Sequence, residues 1–341
     1  ANTLIAFFVA AFLVGVVISG PRRTFTSPWP WIGGAIAAGL WAPYVIWQAR
    51  HGWPQLSVAS DIATGGSGTS EPRWLFIPFQ FGLVSPWLAP VWIAGLIRLF
   101  RDARLRALGW AYVVLLVVFI ATGGKPYYLG GMFPLLLAAG AQPTIEWVRR
   151  GRARLRHGAL VAGFVLSLPA FAVTLPVVPL GQLDTIPVAD VNYDAGETVG
   201  WPAYVAQIAG IYKRLTPEQR AAPAIVTANY GEAGAVDRYG KRYGLPHAYS
   251  GHNGYWYWGP PPANTSTIVA VGFDRAFLER SFGEVQDGTR LDNRYGIDND
   301  ERGELVQNTT GPARTPFNLR RTAHHRTRVA LAPQLLVNRS T

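Results

Sequence analysis

Ala107-Leu-Gly-Trp-Ala-Tyr-Val-Val-Leu-Leu-Val-Val-Phe-Ile-Ala-Thr122 is an almost unbroken apolar run. Arg98, Arg101, Arg104 and Arg106 precede it and Gly123-Gly124-Lys125 follows. Arginines crowded on one flank and a single cation on the other mark a bilayer-crossing helix whose flanking charge sets its direction. Five similar runs lie at about 3–18, 29–47, 74–97, 127–141 and 159–180, some long enough for a hydrocarbon core of about 30 Å, which takes about 20 helical residues.

The connections between these runs alternate in charge. One set holds Arg22 and Arg23, then the four arginines at 98–106, then Arg149, Arg150, Arg152, Arg154 and Arg156; the other holds only Arg50, Arg73 and Lys125. The positive-inside rule places the arginine-rich set in the cytoplasm, and Lys125, the 48–73 connection and everything after 180 outside. The predicted architecture is an α-helical polytopic membrane domain of about six spans over 1–180, a small extracytoplasmic α/β domain over 181–310, and an irregular or disordered tail over 311–341.

Composition agrees. With 49% hydrophobic and 15% charged residues in 341, the chain is too apolar for one soluble domain. The net charge of +11 does not point to nucleic acid, because 28 of the 31 basic residues are arginines and many sit in the short connections. The absence of cysteine excludes disulfides, thiolate metal sites and a cysteine nucleophile. The chain starts at Ala1 directly in apolar sequence, which leads to the expectation of a fragment lacking its N-terminal part.

Two spans carry proline. The third holds Pro78, Pro86 and Pro90 and is predicted to kink or re-enter, and the fifth is short and holds Pro134. Beyond 180, a helix is predicted at 201–215, strands at 224–228 and 266–272, and helices from 229 to about 242 and over 274–282. That alternation implies a partly parallel sheet.

Lys125 is the only lysine in the first 180 residues. It is either a snorkelling anchor or a point charge for a phosphate, with Tyr127 and Tyr128 as phenolic donors. His51, between Trp47 and Trp53, is either an acid, base or substrate contact or part of an aromatic interfacial loop. In the outer domain, Asn229-Tyr230-Gly231-Glu232 opens a helix after a strand and offers N–H groups to an anion, without matching a nucleotide motif. His252 and Asn253 stand among Tyr255, Trp256, Tyr257 and Trp258, a composition suited to a sugar or lipid headgroup and equally to docking of the domain. Asp298-Asn-Asp-Glu301 is taken as a solvated turn, and His324 and His325 form no ligand set. The sequons at Asn264, Asn308 and Asn338 matter only in a glycosylating pathway.

Trp47-Gln48 with His51-Gly52-Trp53-Pro54, Gly124-Lys125-Pro126-Tyr127-Tyr128 with Pro134, and Asn229-Tyr230-Gly231-Glu232-Ala233 running to Tyr249-Ser250-Gly251-His252-Asn253 together resemble the C-terminal portion of bacterial glycosyltransferase family 39 proteins. These are relatives of protein O-mannosyltransferases and lipid A aminoarabinose transferases. The resemblance implies an integral protein of a bacterial plasma membrane, of the GT-C type, that passes a sugar from a polyprenyl-phosphate donor to a protein, lipid or glycan acceptor at the outer face. It implies a donor-phosphate site near Lys125, and substrate contacts at Tyr127, Tyr128, His51, Trp53, Tyr230, Glu232, His252 and Asn253. The family's acidic base belongs to an outer loop upstream of Ala1, so no catalytic residue is expected in this chain, and no cofactor or metal set is read. Two other readings stay open: a non-catalytic membrane anchor carrying an outer binding module, and a transporter, which the scarcity of ionisable residues within the spans disfavours.

Overall fold

The computed structural model describes residues 3–64, 72–183, 185, 186, 188–282 and 284–310. Residues 65–71, within the 48–73 connection, and the segment 311–341, with His324, His325 and Asn338, lie outside them. The chain divides into two compact units between Pro169 and Ala170.

The first unit is helical: α1 (Leu4–Ser19), α2 (Pro28–Arg50), α3 (Pro54–Ala63), α4 (Phe76–Val84), α5 (Ala89–Arg101), α6 (Arg106–Ala121), α7 (Phe133–Arg149) and all but the last five residues of α8 (Ala153–Thr174). Proline in the first turn of α2, α3 and α7 presets the helical backbone where an N–H would have no intrahelical partner. Trp92, Leu99, Tyr112, Leu115, Phe119, Phe133 and Leu136 form the centre of its core. Small residues let backbones meet there. A Cβ on Gly95 would run into the Leu136 carbonyl, one on Gly140 into that of Val91, and one on Gly15 into that of Ala107.

Among the described residues no single helix is both long and apolar enough to cross a membrane. The segments 73–84 and 86–101 meet both measures only as a pair, across a bend of 84°. The kink predicted in the third apolar run sits here. Ser85 takes φ 109° and ψ 131°, and its Oγ accepts from the Trp87 N–H at 3.3 Å and from Ser167 Oγ at 2.7 Å. The run at 127–141 also changes character: residues Pro126–Met132 form a 3₁₀ turn before α7 begins.

The second unit contains α9 (Val188–Val191), α10 (Tyr193–Glu197), α11 (Trp201–Arg214), β1 (Pro223–Thr227), α12 (Tyr230–Tyr239), β2 (Ala248–Ser250), β3 (Thr267–Val271), α13 (Arg275–Ser281), β4 (Glu284–Arg290) and β5 (Leu305–Thr310). The sheet order is β2-β1-β3-β5-β4. The first three strands run parallel, β5 pairs antiparallel with β3, and β4 antiparallel with β5. The expected partly parallel sheet is present, with β2 and the β4–β5 hairpin added. Both faces are covered: Ile225, Val269 and Val271 pack with α11 and α12, while Ala224, Val226, Ile268 and Ala270 pack with α13. This explains why β1 and β3 read as continuous apolar runs rather than alternating ones.

Candidate functional site

The loop carrying Lys125 is built by its neighbours in sequence. At the end of α6, the Gly124 N–H reaches the Phe119 carbonyl at 2.7 Å and the Gly123 N–H reaches that of Ile120 at 3.4 Å, with Gly123 at φ +69°. This is a Schellman stop, in which the left-handed residue is best glycine. A Cβ on Gly123 would also lie 3.2 Å from the Ala63 Cα at the end of α3. Pro126 holds Lys125 extended, at φ −71° and ψ 141°. Buried Leu129, Met132 and Phe133 then peg the following turn into the core. The Lys125 Nζ stands 6.0 Å from the Tyr127 ring centre, and the Tyr127 and Tyr128 rings meet edge to face at 5.2 Å. Tyr128 packs on Phe119, whereas Tyr127 remains exposed.

One contributor escaped sequence reasoning. Gln80, buried in α4, donates from Nε2 to the Phe76 carbonyl at 3.0 Å and to the Pro126 carbonyl at 3.1 Å, fastening the peptide next to Lys125. A single glutamine among the otherwise apolar residues of Phe76–Val84 was the available signal, since a buried amide must find partners.

The His51 stretch is organised by Gln48. This buried side chain accepts from the Gln55 N–H at 3.1 Å, while its carbonyl accepts from the Trp53 N–H at 2.8 Å. His51 stacks on Trp47, with ring centres 4.3 Å apart, and its Nδ1 lies 2.7 Å from the Trp47 carbonyl. Trp53 adopts φ 57° and ψ 54° and starts α3. Helix α3 links the two stretches, with Trp53 at one end and Ala63 against Gly123 at the other; a ten-residue helix spans about 15 Å. His51 and Lys125 therefore share a scaffold.

In the α/β unit the residues after β1 and β2 come together. Tyr230 and His252 meet at 5.1 Å, edge to face, beyond the carboxyl ends of those parallel strands, where open α/β sheets bind ligands. Asn253 has φ 51° and opens the following 3₁₀ turn. Glu232 is different: it is buried and forms a capping box with Asn229, bonding the Asn229 N–H at 3.1 Å while Asn229 Oδ1 accepts the Glu232 N–H at 2.9 Å. The helix start that suggested an anion site is already capped by a carboxylate, and Glu232 acts in holding α12. Asn229→Ala is expected to cost about 1 kcal/mol of stability, measured by denaturant unfolding of the α/β unit within the full chain.

The turn 298–301 is solvated only in part: Asp298 and Asp300 are exposed, whereas Asn299 and Glu301 are buried. Asn299 accepts from Tyr204 Oη at 2.7 Å and donates to the Gly196 and Val199 carbonyls, while Tyr193 Oη donates to Asp300 at 2.6 Å. Glu301 is only 3% exposed; one oxygen faces Asn229 Nδ2 at 3.4 Å and the other has no hydrogen-bond partner among the described residues. Burial first, then Glu197, Glu304 and Asp300, push its pKa up to about 8. Glu197 is raised as well, chiefly by burial. Polar residues in a turn gave no sign of this, because the burial comes from the distant α10–α11 segment.

These features define a helical unit with a cation loop at a helix end, joined in sequence to an α/β unit with an aromatic carboxyl-edge site. No family model, curated protein or solved structure matches the chain.

Proposed function

We propose that the chain is part of a membrane glycosyltransferase that takes a sugar from a polyprenyl-phosphate donor at the outer face, with Lys125 holding the donor phosphate. The observation that carries this is the Lys125 loop. The backbone that carries Lys125 is fixed by a glycine stop, a following proline and Gln80 at the end of a strongly apolar helix, and its Nζ stands 6.0 Å from the Tyr127 ring centre. A phosphate bearing a polyprenyl chain needs that combination of cation and adjoining apolar surface.

Lipid contact is supported by what the helical unit leaves uncovered. In α2 only Gln48 is buried, while Trp29 is 74% and Leu40 81% exposed, and Trp31, Ile32, Ile36 and Ile46 are exposed too. Helix α8 exposes Leu155, Val161, Phe164, Val165, Leu166 and Phe171. Exposed apolar side chains along whole helices favour contact with lipid or another apolar surface over water.

In this reading the Lys125 ammonium pairs with the phosphate oxygens and the exposed Tyr127 phenol adds a donor. Charge that develops on the phosphate as the glycosidic bond breaks is then met by a preplaced cation. The acceptor hydroxyl must lose its proton to a base as its oxygen attacks the sugar carbon and the carbon–phosphate-oxygen bond breaks. Lys125→Ala is expected to lower kcat/KM for a polyprenyl-phosphate-linked hexose about 100-fold in the complete protein, with Lys125→Arg retaining more activity. Unchanged transfer kinetics in the alanine variant would refute the assignment.

A further inference from the structure

The aromatic segment 253–258 does not gather around His252 alone. Tyr255 and Trp258 instead close on His247, a residue that composition did not single out. Asp237, in the last turn of α12, organises the group: its Oδ1 accepts from His247 Nδ1 and from the Ala248 N–H, each at 2.9 Å, and its Oδ2 accepts from Tyr255 Oη at 2.9 Å. The imidazole stacks on Tyr255 with centres 6.1 Å apart and 17° between planes, and lies 5.6 Å from Trp258 and 5.5 Å from Tyr249. Trp258 packs on Tyr255 at 4.5 Å and yet remains 64% exposed.

We propose that this cluster is a binding site for a neutral pyranose, whose C–H face stacks on Trp258 and one of whose hydroxyls bonds to His247 Nε2. Three features select that ligand class. A large indole surface is left open although neighbouring rings already fix its position, so little ordering is needed on binding. The Asp237 carboxylate is occupied by three donors, and the bond to His247 Nδ1 leaves Nε2 as the imidazole's remaining polar atom. Among the described residues no lysine or arginine bonds to the cluster; Arg242 and Lys213 lie over Tyr239 and Tyr243 instead. A phosphate or carboxylate ligand would call for a cation, whereas a sugar needs an apolar plane and a few oriented hydrogen-bonding atoms. The site lies wholly in the α/β unit and does not depend on Lys125.

The test is saturation-transfer NMR on the full chain in nanodiscs, with the methyl pyranosides of glucose, mannose, galactose and N-acetylglucosamine as probes. Transfer to the ring C–H protons of at least one probe is expected. Trp258→Ala should weaken its binding at least tenfold, His247→Phe should weaken it while preserving the stack, and Tyr257→Ala should leave it unchanged. Circular dichroism of each variant checks that the fold persists. Absence of transfer to all four probes would overturn the proposal, as would transfer that Trp258→Ala leaves intact. Quenching of Trp258 by headgroup-brominated lipids, which would make the ring a bilayer anchor, would overturn it too.

Discussion

Gly140→Leu is expected to disrupt the helical unit, at a cost above about 3 kcal/mol, beyond the usual range for overpacking a core. The reason is that no side chain can yield. The Cβ alone would enter the Val91 carbonyl, and the reciprocal Gly95 meets the Leu136 carbonyl, so the α5 and α7 backbones must separate. Arg98, which donates to the Ala139 carbonyl at 3.1 Å across the same crossing, would lose its partner. Gly33→Ala in α2 is the control, because a Cβ there meets nothing within 4 Å. Thermal unfolding of the purified protein should show a large drop in midpoint for Gly140→Leu and almost none for Gly33→Ala. Equal midpoints would mean that the crossing does not hold the unit together.

The second large effect is a pH dependence centred on Glu301. Its folded pKa of about 8 lies above the ordinary value of 4.5, so the folded α/β unit binds the proton more tightly than the unfolded chain. Stability from this group is therefore complete below about pH 4.5 and is lost as pH rises through about 8. The loss amounts to a few kcal/mol at most, at about 1.4 kcal/mol per pH unit of displacement. Glu197, raised in the same direction, adds to the slope. Glu301→Gln keeps the shape, removes the titration, and should unfold at a higher temperature than the parent at pH 8.5 while differing little at pH 5. Parallel pH profiles for the two proteins would show that Glu301 is not buried as a protonated acid.

Much of the fold was legible because it follows apolar pattern. The runs that became α1, α2, α6 and α8, the helix at 201–214 and the strands β1 and β3 are all continuous or periodic in hydrophobicity. The hairpin β4–β5 was not legible. Gln307, Asn308 and Thr309 are buried within β5, and polar residues inside a strand look like a loop until their sheet partners are known. Gly288, at the bulge between Asp287 and Thr289, breaks the pattern of β4 further.

The Lys125 loop was readable from Gly-Gly-Lys-Pro, since each residue has a backbone meaning by itself. Gln80 and Asp237 were not, because each acts on a partner that only the tertiary structure brings near. The same holds for Glu232: its spacing from Asn229 is a capping signature, and that local role accounts for the conformation that first suggested an anion site.

Equilibrium binding of radiolabelled polyprenyl phosphate to the full chain in nanodiscs reads the Lys125 assignment without requiring transfer. Saturable binding is predicted, weakened at least tenfold by Lys125→Ala and partly retained by Lys125→Arg, with the thermal midpoint unchanged. Binding equally tight in the parent and in Lys125→Ala would contradict a phosphate site at this lysine.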